Sequence, residues 1–186
     1  MALPPHLRST FSPAELELIA CEELIEIQPL IAMERTAFIS GAYGPLRPPL
    51  KAKIPIWMAV NLKLKKKCNI VPPDWLRPEN LREKLQQETN NPGFSEMPLR
   101  FAEIAKVLLD VASDDVQESD KVRSLLKDIR EVRQAKSRDG LQNIDRSELA
   151  LANFASMEIN EIRPFYTRAM DIFTQLHFEG APANDY

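Results

Sequence analysis

The tightest constraint on this chain's fold is the stretch Ile54–Leu76, IPIWMAVNLKLKKKCNIVPPDWL, because the apolar pattern changes across it. Upstream, apolar residues come in short runs broken by Pro and Gly, the mark of short strands and turns. Downstream they recur at three- and four-residue spacing almost to the end, the period of a helix's buried face. A chain with such a switch is neither all-helical nor all-β. The expected class is α+β, mainly α: a small N-terminal β-rich domain over residues 1–72, then an antiparallel helical bundle over 73–178, with 179–186 as a flexible tail. The stretch itself holds both tryptophans, and its proline pair stiffens it. Trp57, Trp75, Pro72 and Pro73 are therefore the candidate inter-domain junction.

In the first half, Ser12-Pro13-Ala14-Glu15 is a capping box with proline at the first helical position, predicting a helix from Pro13 to about Cys21. Leu24–Ile27 reads as a strand stopped by Pro29, and Arg35–Ser40 as a second. Gly41–Pro45 reads as a turn, Lys51–Trp57 as extended, Val60–Lys67 as one or two helical turns, and Cys68–Val71 as extended again. A domain of about 70 residues buries only about 60% of the surface its unfolded chain exposes. It should lean on its helical half or on a partner.

In the second half, Pro78 opens a helix carrying Leu81 and Leu85 that ends at Asn90-Asn91-Pro92-Gly93. Phe101, Ile104, Leu108 and Val111 mark the next, closed at Ser113-Asp114-Asp115. Val122, Leu125, Ile129 and Val132 mark a third, with Gly140 as its expected C-terminal cap. The last runs from Glu148 to about Leu176, bent or restarted at Pro164, with Ile162, Phe165, Ala169, Phe173 and Leu176 on the inferred core stripe. Its flanks are also apolar, so it should be buried on more than one side. Tyr166, Met170, Phe154 and Met157 are the candidate subunit interface.

Chemistry has no visible machinery. There is no phosphate-cradling glycine loop, and His6 and His177 have no nucleophile or acid in a catalytic pattern. No enzyme and no cofactor is expected. Cys21 and Cys68 lie too far apart for a zinc site, and read as reduced thiols in an intracellular protein. No apolar run approaches the ~20 residues that span a bilayer, and the N-terminus lacks a signal peptide's apolar core. At 44% apolar and 27% charged residues the composition is that of an ordered globular chain. Charge divides unevenly: residues 1–73 carry nine Lys and Arg against six Asp and Glu, and residues 74–186 fifteen against twenty-one. Lys63, Lys65, Lys66 and Lys67 form the candidate basic contact patch. The alternative function is a small nucleic-acid-binding module using it through counterion release. No aromatic residue interleaves those lysines to stack bases, which favours protein contact.

The segments IPIWMAVNLK, CNIVPPDWL and MEIN at Met157–Asn160 resemble the "partner of Sld-five, number two" family of the eukaryotic GINS complex, in order and spacing from about Pro13 to Phe178. The resemblance implies a β-rich domain followed by a helical one, the permuted order for that complex. It also implies a non-enzymatic scaffold in a heterotetramer with three other GINS subunits. That assembly joins the MCM ring and its companion factor in the nuclear replicative CMG helicase, for initiation and elongation of chromosomal replication. The first dozen residues, Asn90–Glu96 and the C-terminal end depart from the family pattern.

Overall fold

A computed structural model describes residues 10–142 and 152–179. His6, the start of the last expected helix at Glu148 and the tail at 180–186 lie outside the described residues, as do the side chains of Phe173, Leu176 and His177.

Helix α1, Pro13–Ala20, begins at the expected box: the Ser12 side chain accepts from the Glu15 amide, and the Glu15 carboxylate takes the Ser12 N–H at 2.7 Å. Those contacts, the Ser12 backbone first, hold the Glu15 carboxyl below its ordinary range. Strand β1, Leu24–Pro29, is central in a three-stranded antiparallel sheet with β4, Ala52–Pro55, and β5, Cys68–Ile70, in the order β4-β1-β5. Ile25 pairs with Ile54, and Ile27 with Ile70, so one face is apolar and buried. As expected, β1 stops at Pro29, two residues beyond Ile27. The proline is the strand's last residue, and the ladder resumes with the Leu30 N–H on the Lys67 carbonyl at 2.9 Å. Gly41–Tyr43 is not a turn but strand β3, paired with β2, Thr36–Phe38; the turn is Ile39-Ser40. Gly41, at φ 147°, lets the chain reverse there. Gly44 is also constrained, since a Cβ would sit 3.3 Å from the Arg35 Cα and its φ is 102°.

Helix α2, Ile56–Leu64, starts earlier than expected. Its first amides find acceptors outside the helix: Ile56 N–H bonds Glu23 O at 2.9 Å and Trp57 N–H bonds Cys21 O at 3.0 Å. The α1–β1 connection therefore caps α2. A 3₁₀ turn, Asp74–Leu76, leads to α3, Pro78–Asn90. Then come α4, Phe101–Val111, α5, Ser119–Gln142, and α6, Ser156–Glu179. Helix α5 passes through Gly140 without ending there, correcting the expected cap. Helix α6 begins at Ser156; just before it Ala152 and Asn153 form a turn, and Asn153 is left-handed at φ 63°. Pro164 lies inside α6, and the Thr167 hydroxyl bonds the Arg163 carbonyl at 3.0 Å near it.

One continuous core runs from Ile27 and Ile54 in the sheet, through Ala59, Leu76 and Leu81, to Leu108, Val122 and Ile129 in the helices. The sheet half does not close its core alone. Ion pairs add to this tie. Lys63 sits 2.8 Å from both Asp114 and Asp115, and the Asp115 carboxylate also accepts the Ile70 N–H at 2.7 Å. Arg100 pairs with Glu23 at 3.0 Å, and Lys106 with Glu17.

Candidate assembly surface

The start of α6 is bound tightly to the rest of the chain, and the helix's remainder is not. Arg133 of α5 is fully buried among α3, α6 and the connection between α3 and α4. Its guanidinium bridges Glu88 and both oxygens of Glu158 at 2.6 and 2.8 Å, and donates to the Asn153 carbonyl at 2.6 Å and the Ser95 carbonyl at 3.2 Å. Lys136 and both Ser95 donors complete the shell of Glu88. Burial opposes the Glu88 charge, yet the hydrogen bonds of Lys136 and Ser95 and the charge of Arg133 hold its carboxyl below the ordinary range. Burial likewise opposes the Arg133 charge, and Glu158 and Glu88 more than offset it. Glu158 also accepts the Ala155 N–H at 2.8 Å, capping α6 from within.

Three residues of the MEIN segment thereby gain a role. Glu158 grips Arg133. Asn160 exchanges two hydrogen bonds with the backbone of Phe11, at 2.7 and 2.9 Å. Met157, half-buried, faces a groove of about 390 Å³ between α4, α5 and α6. Phe101, Ala105, Leu109 and Leu126 floor that groove, and Lys106, Lys127, Arg130 and Glu161 rim it. Arg130 and Glu161 pair across the rim at 2.9 Å.

Beyond Asn160 no described side chain of α6 is buried. Phe165 and Ile172 are 54% and 50% exposed, and with Ala169 and Arg168 they line an apolar hollow of about 300 Å³. Tyr166 and Met170 are half-buried. The expected core stripe through Ile162, Phe165 and Ala169 is therefore corrected: Ile162 and Ala169 are half-exposed and Phe165 is open, because the packed core ends at Ala155 and Glu158. Phe154 packs its ring 4.3 Å from that of Phe94.

Trp57 packs edge-on against Phe38 and Tyr43, at 5.2 and 6.3 Å, within its own half. Trp75, Pro72 and Pro73 are half-buried where the chain enters α3. Of the basic run, Lys63 is committed to Asp114 and Asp115, and its side chain is 11% exposed; Lys65, Lys66 and Lys67 are exposed. Sequence reasoning placed Asp114-Asp115 at a helix break and missed both roles. It also passed over Arg133 and Glu88, for which a buried arginine leaves no periodic signal, although MEIN did mark Glu158 and Asn160.

No cluster of three or more metal-ligating side chains occurs among the described residues, and no described helix is long and apolar enough to cross a membrane. A helix with an open apolar face, beside a groove rimmed by charge, defines a helical-bundle assembly subunit.

Comparison with known proteins carries this further. Residues 12–71 match the family described as PSF2 N-terminal domain, and residues 75–177 the GINS complex protein helical bundle domain. The DNA replication complex GINS protein psf2 of Schizosaccharomyces pombe is 41% identical over 171 residues, covering 92% of this chain and 93% of the relative. The Homo sapiens protein of the same description is 36% identical over 162 residues, covering 85% and 88%. That of Saccharomyces cerevisiae is 35% identical over 196 residues, covering 95% and 92%. The chain belongs to the PSF2 family of GINS complex subunits, non-catalytic components of the DNA replication complex.

Proposed function

We propose that this chain is the scaffold subunit of a nuclear GINS heterotetramer that joins the MCM ring and its companion factor in the replicative helicase. Family membership implies the other GINS subunits as partners. The observation that carries the structural side is the open apolar face of α6, continued by the groove beneath Met157. In this reading Tyr166 and Met170 contact a neighbouring subunit together with Phe165 and Ile172, and Met157 does so from the groove. Phe154 supports that surface from behind through Phe94. The β-rich and helical parts, taken as residues 1–72 and 73–178, act as one unit because they share a core and the Lys63 clamp.

The test is co-expression with the three other GINS subunits, read by native mass. Phe165→Ser with Ile172→Ser removes side chains that the chain leaves about half exposed, so the isolated chain should stay folded with a loss of about 1–3 kcal/mol. The tetramer should nevertheless be weakened or lost. Assembly unaffected by the pair would move the interface elsewhere.

A further inference from the structure

The turn that follows α2 holds a lysine where the backbone asks for glycine. Lys66 N–H bonds the Lys63 carbonyl at 2.8 Å, and Lys67 N–H bonds the Leu62 carbonyl at 2.9 Å. This is the paired closure of a helix C-terminus whose reversing residue adopts the left-handed conformation, and glycine is its usual occupant. Lys66 adopts it at φ 56° with a full side chain, against its steric preference. Backbone strain of this kind clusters at functional sites.

The neighbours define the use. Lys65, Lys66 and Lys67 are exposed, and none forms an ion pair among the described residues. Lys63 is excluded, since Asp114 and Asp115 hold it. Leu64, in the last turn of α2, is 67% exposed. Leu30, whose N–H bonds the Lys67 carbonyl, is 53% exposed. Lysines beside the edge strand β5 also deter edge-to-edge pairing, but that role calls for neither a left-handed lysine nor two open leucines. Phosphate binding would use the ammonium groups and leave the leucines idle. The nearest aromatic of α2, Trp57, is engaged with Phe38 and Tyr43 and not free to stack a base.

We propose that the Leu64–Lys67 turn, with Leu30, docks an acidic protein segment that carries apolar side chains. Its carboxylates meet Lys65, Lys66 and Lys67, and its apolar residues cover the two leucines. The surface belongs to the β-rich half, apart from the α4–α5–α6 groove, and does not depend on how the helical half assembles.

The experiment uses the full chain and fluorescence anisotropy with three labelled probes of equal length: a peptide alternating Glu and Leu, polyglutamate, and a mixed-sequence DNA. The Glu-Leu peptide should bind best, and its affinity should fall with added salt. Lys66→Gly is the decisive variant. It relieves the left-handed strain, so its melting temperature should equal or exceed that of the parent, while peptide affinity falls by about threefold. Replacing Lys65 and Lys67 by Gln as well should deepen the loss to about tenfold or more, and Leu30→Ser with Leu64→Ser should reduce it separately. The proposal is overturned if the parent does not bind the Glu-Leu peptide, if polyglutamate binds equally well, or if Lys66→Gly leaves affinity unchanged. DNA bound more tightly than the peptide, and lost with the same lysines, would overturn it in favour of nucleic acid.

Discussion

Replacing Arg133 by Ala tests the chain's most concentrated interaction. The arginine is fully buried and joins Glu88 of α3, Glu158 of α6 and the carbonyls of Ser95 and Asn153. Its removal strands two carboxylates in the interior, with Lys136 the remaining cation on Glu88. Breaking a buried pair by deleting one partner costs about 3–5 kcal/mol, mostly the penalty of the charge left behind. For a chain of this size each kcal/mol moves the midpoint by about 2–4 °C, so melting should fall by about 6–20 °C. Arg133→Lys should lie between, since an ammonium cannot span Glu88 and both Glu158 oxygens. Arg133→Met with Glu88→Gln and Glu158→Gln should recover much of the loss, because no buried charge is left unpaired. The pH profile adds a second reading. The Glu88 carboxyl is held below its ordinary value of 4.5, so its contribution is complete above that pH and is lost as pH falls through the depressed value. Thermal and urea unfolding followed by circular dichroism measure both. An Arg133→Ala chain within 1 kcal/mol of the parent would refute the reasoning.

Further expectations concern single groups. Neither carboxylate oxygen of buried Glu103 has a hydrogen-bond partner, and burial pushes its carboxyl up from 4.5. The native state thus holds this proton longer than the unfolded chain, and the group costs stability as pH rises through 4.5 and beyond. Glu103→Gln should stabilise by roughly 1 kcal/mol at neutral pH and by less near pH 4, and urea midpoints at the two pH values check it. Asp115→Asn removes charge from Lys63 and weakens the acceptor for the Ile70 N–H, so it should lower stability by about 1–3 kcal/mol. Amide exchange should then speed up at β5. Cys68 is 1% exposed, and burial raises its thiol to about 11. Thiol labelling near pH 8 should therefore reach half-buried Cys21 well before Cys68, and a Cys68 that labels first would contradict the sheet packing.

Much of the fold was legible because local chemistry and burial agree. The Ser12–Glu15 box, Pro78 and the spacing of Phe101, Ile104 and Leu108 all mark elements where the structure has them. Errors arose where tertiary context overrode a local signal. Gly140 looks like a cap, but α5 continues past it. Ile56 and Trp57 look like the end of a strand, but Cys21 and Glu23 carbonyls accept their amides and start a helix. The polar ties of the candidate surface were mostly hidden, because Arg133, Glu88 and Asp115 are charged residues in sequence positions that read as solvent. Only their partners across the fold reveal them. The apolar excess of α6 pointed to more than one covered side, but the side that faces outward was assigned to the core, and no described side chain beyond Asn160 is buried. Periodicity names a face without saying what covers it.

The central claim is that the open face of α6 and the adjoining groove are where neighbouring subunits sit. Hydrogen–deuterium exchange, compared between the isolated chain and the co-purified four-subunit complex, tests it most directly. The account predicts slowed exchange in the complex across residues 162–172 of α6 and along the groove-facing turns of α4 and α5. A complex of the right mass in which those amides exchange as fast as in the isolated chain would contradict it.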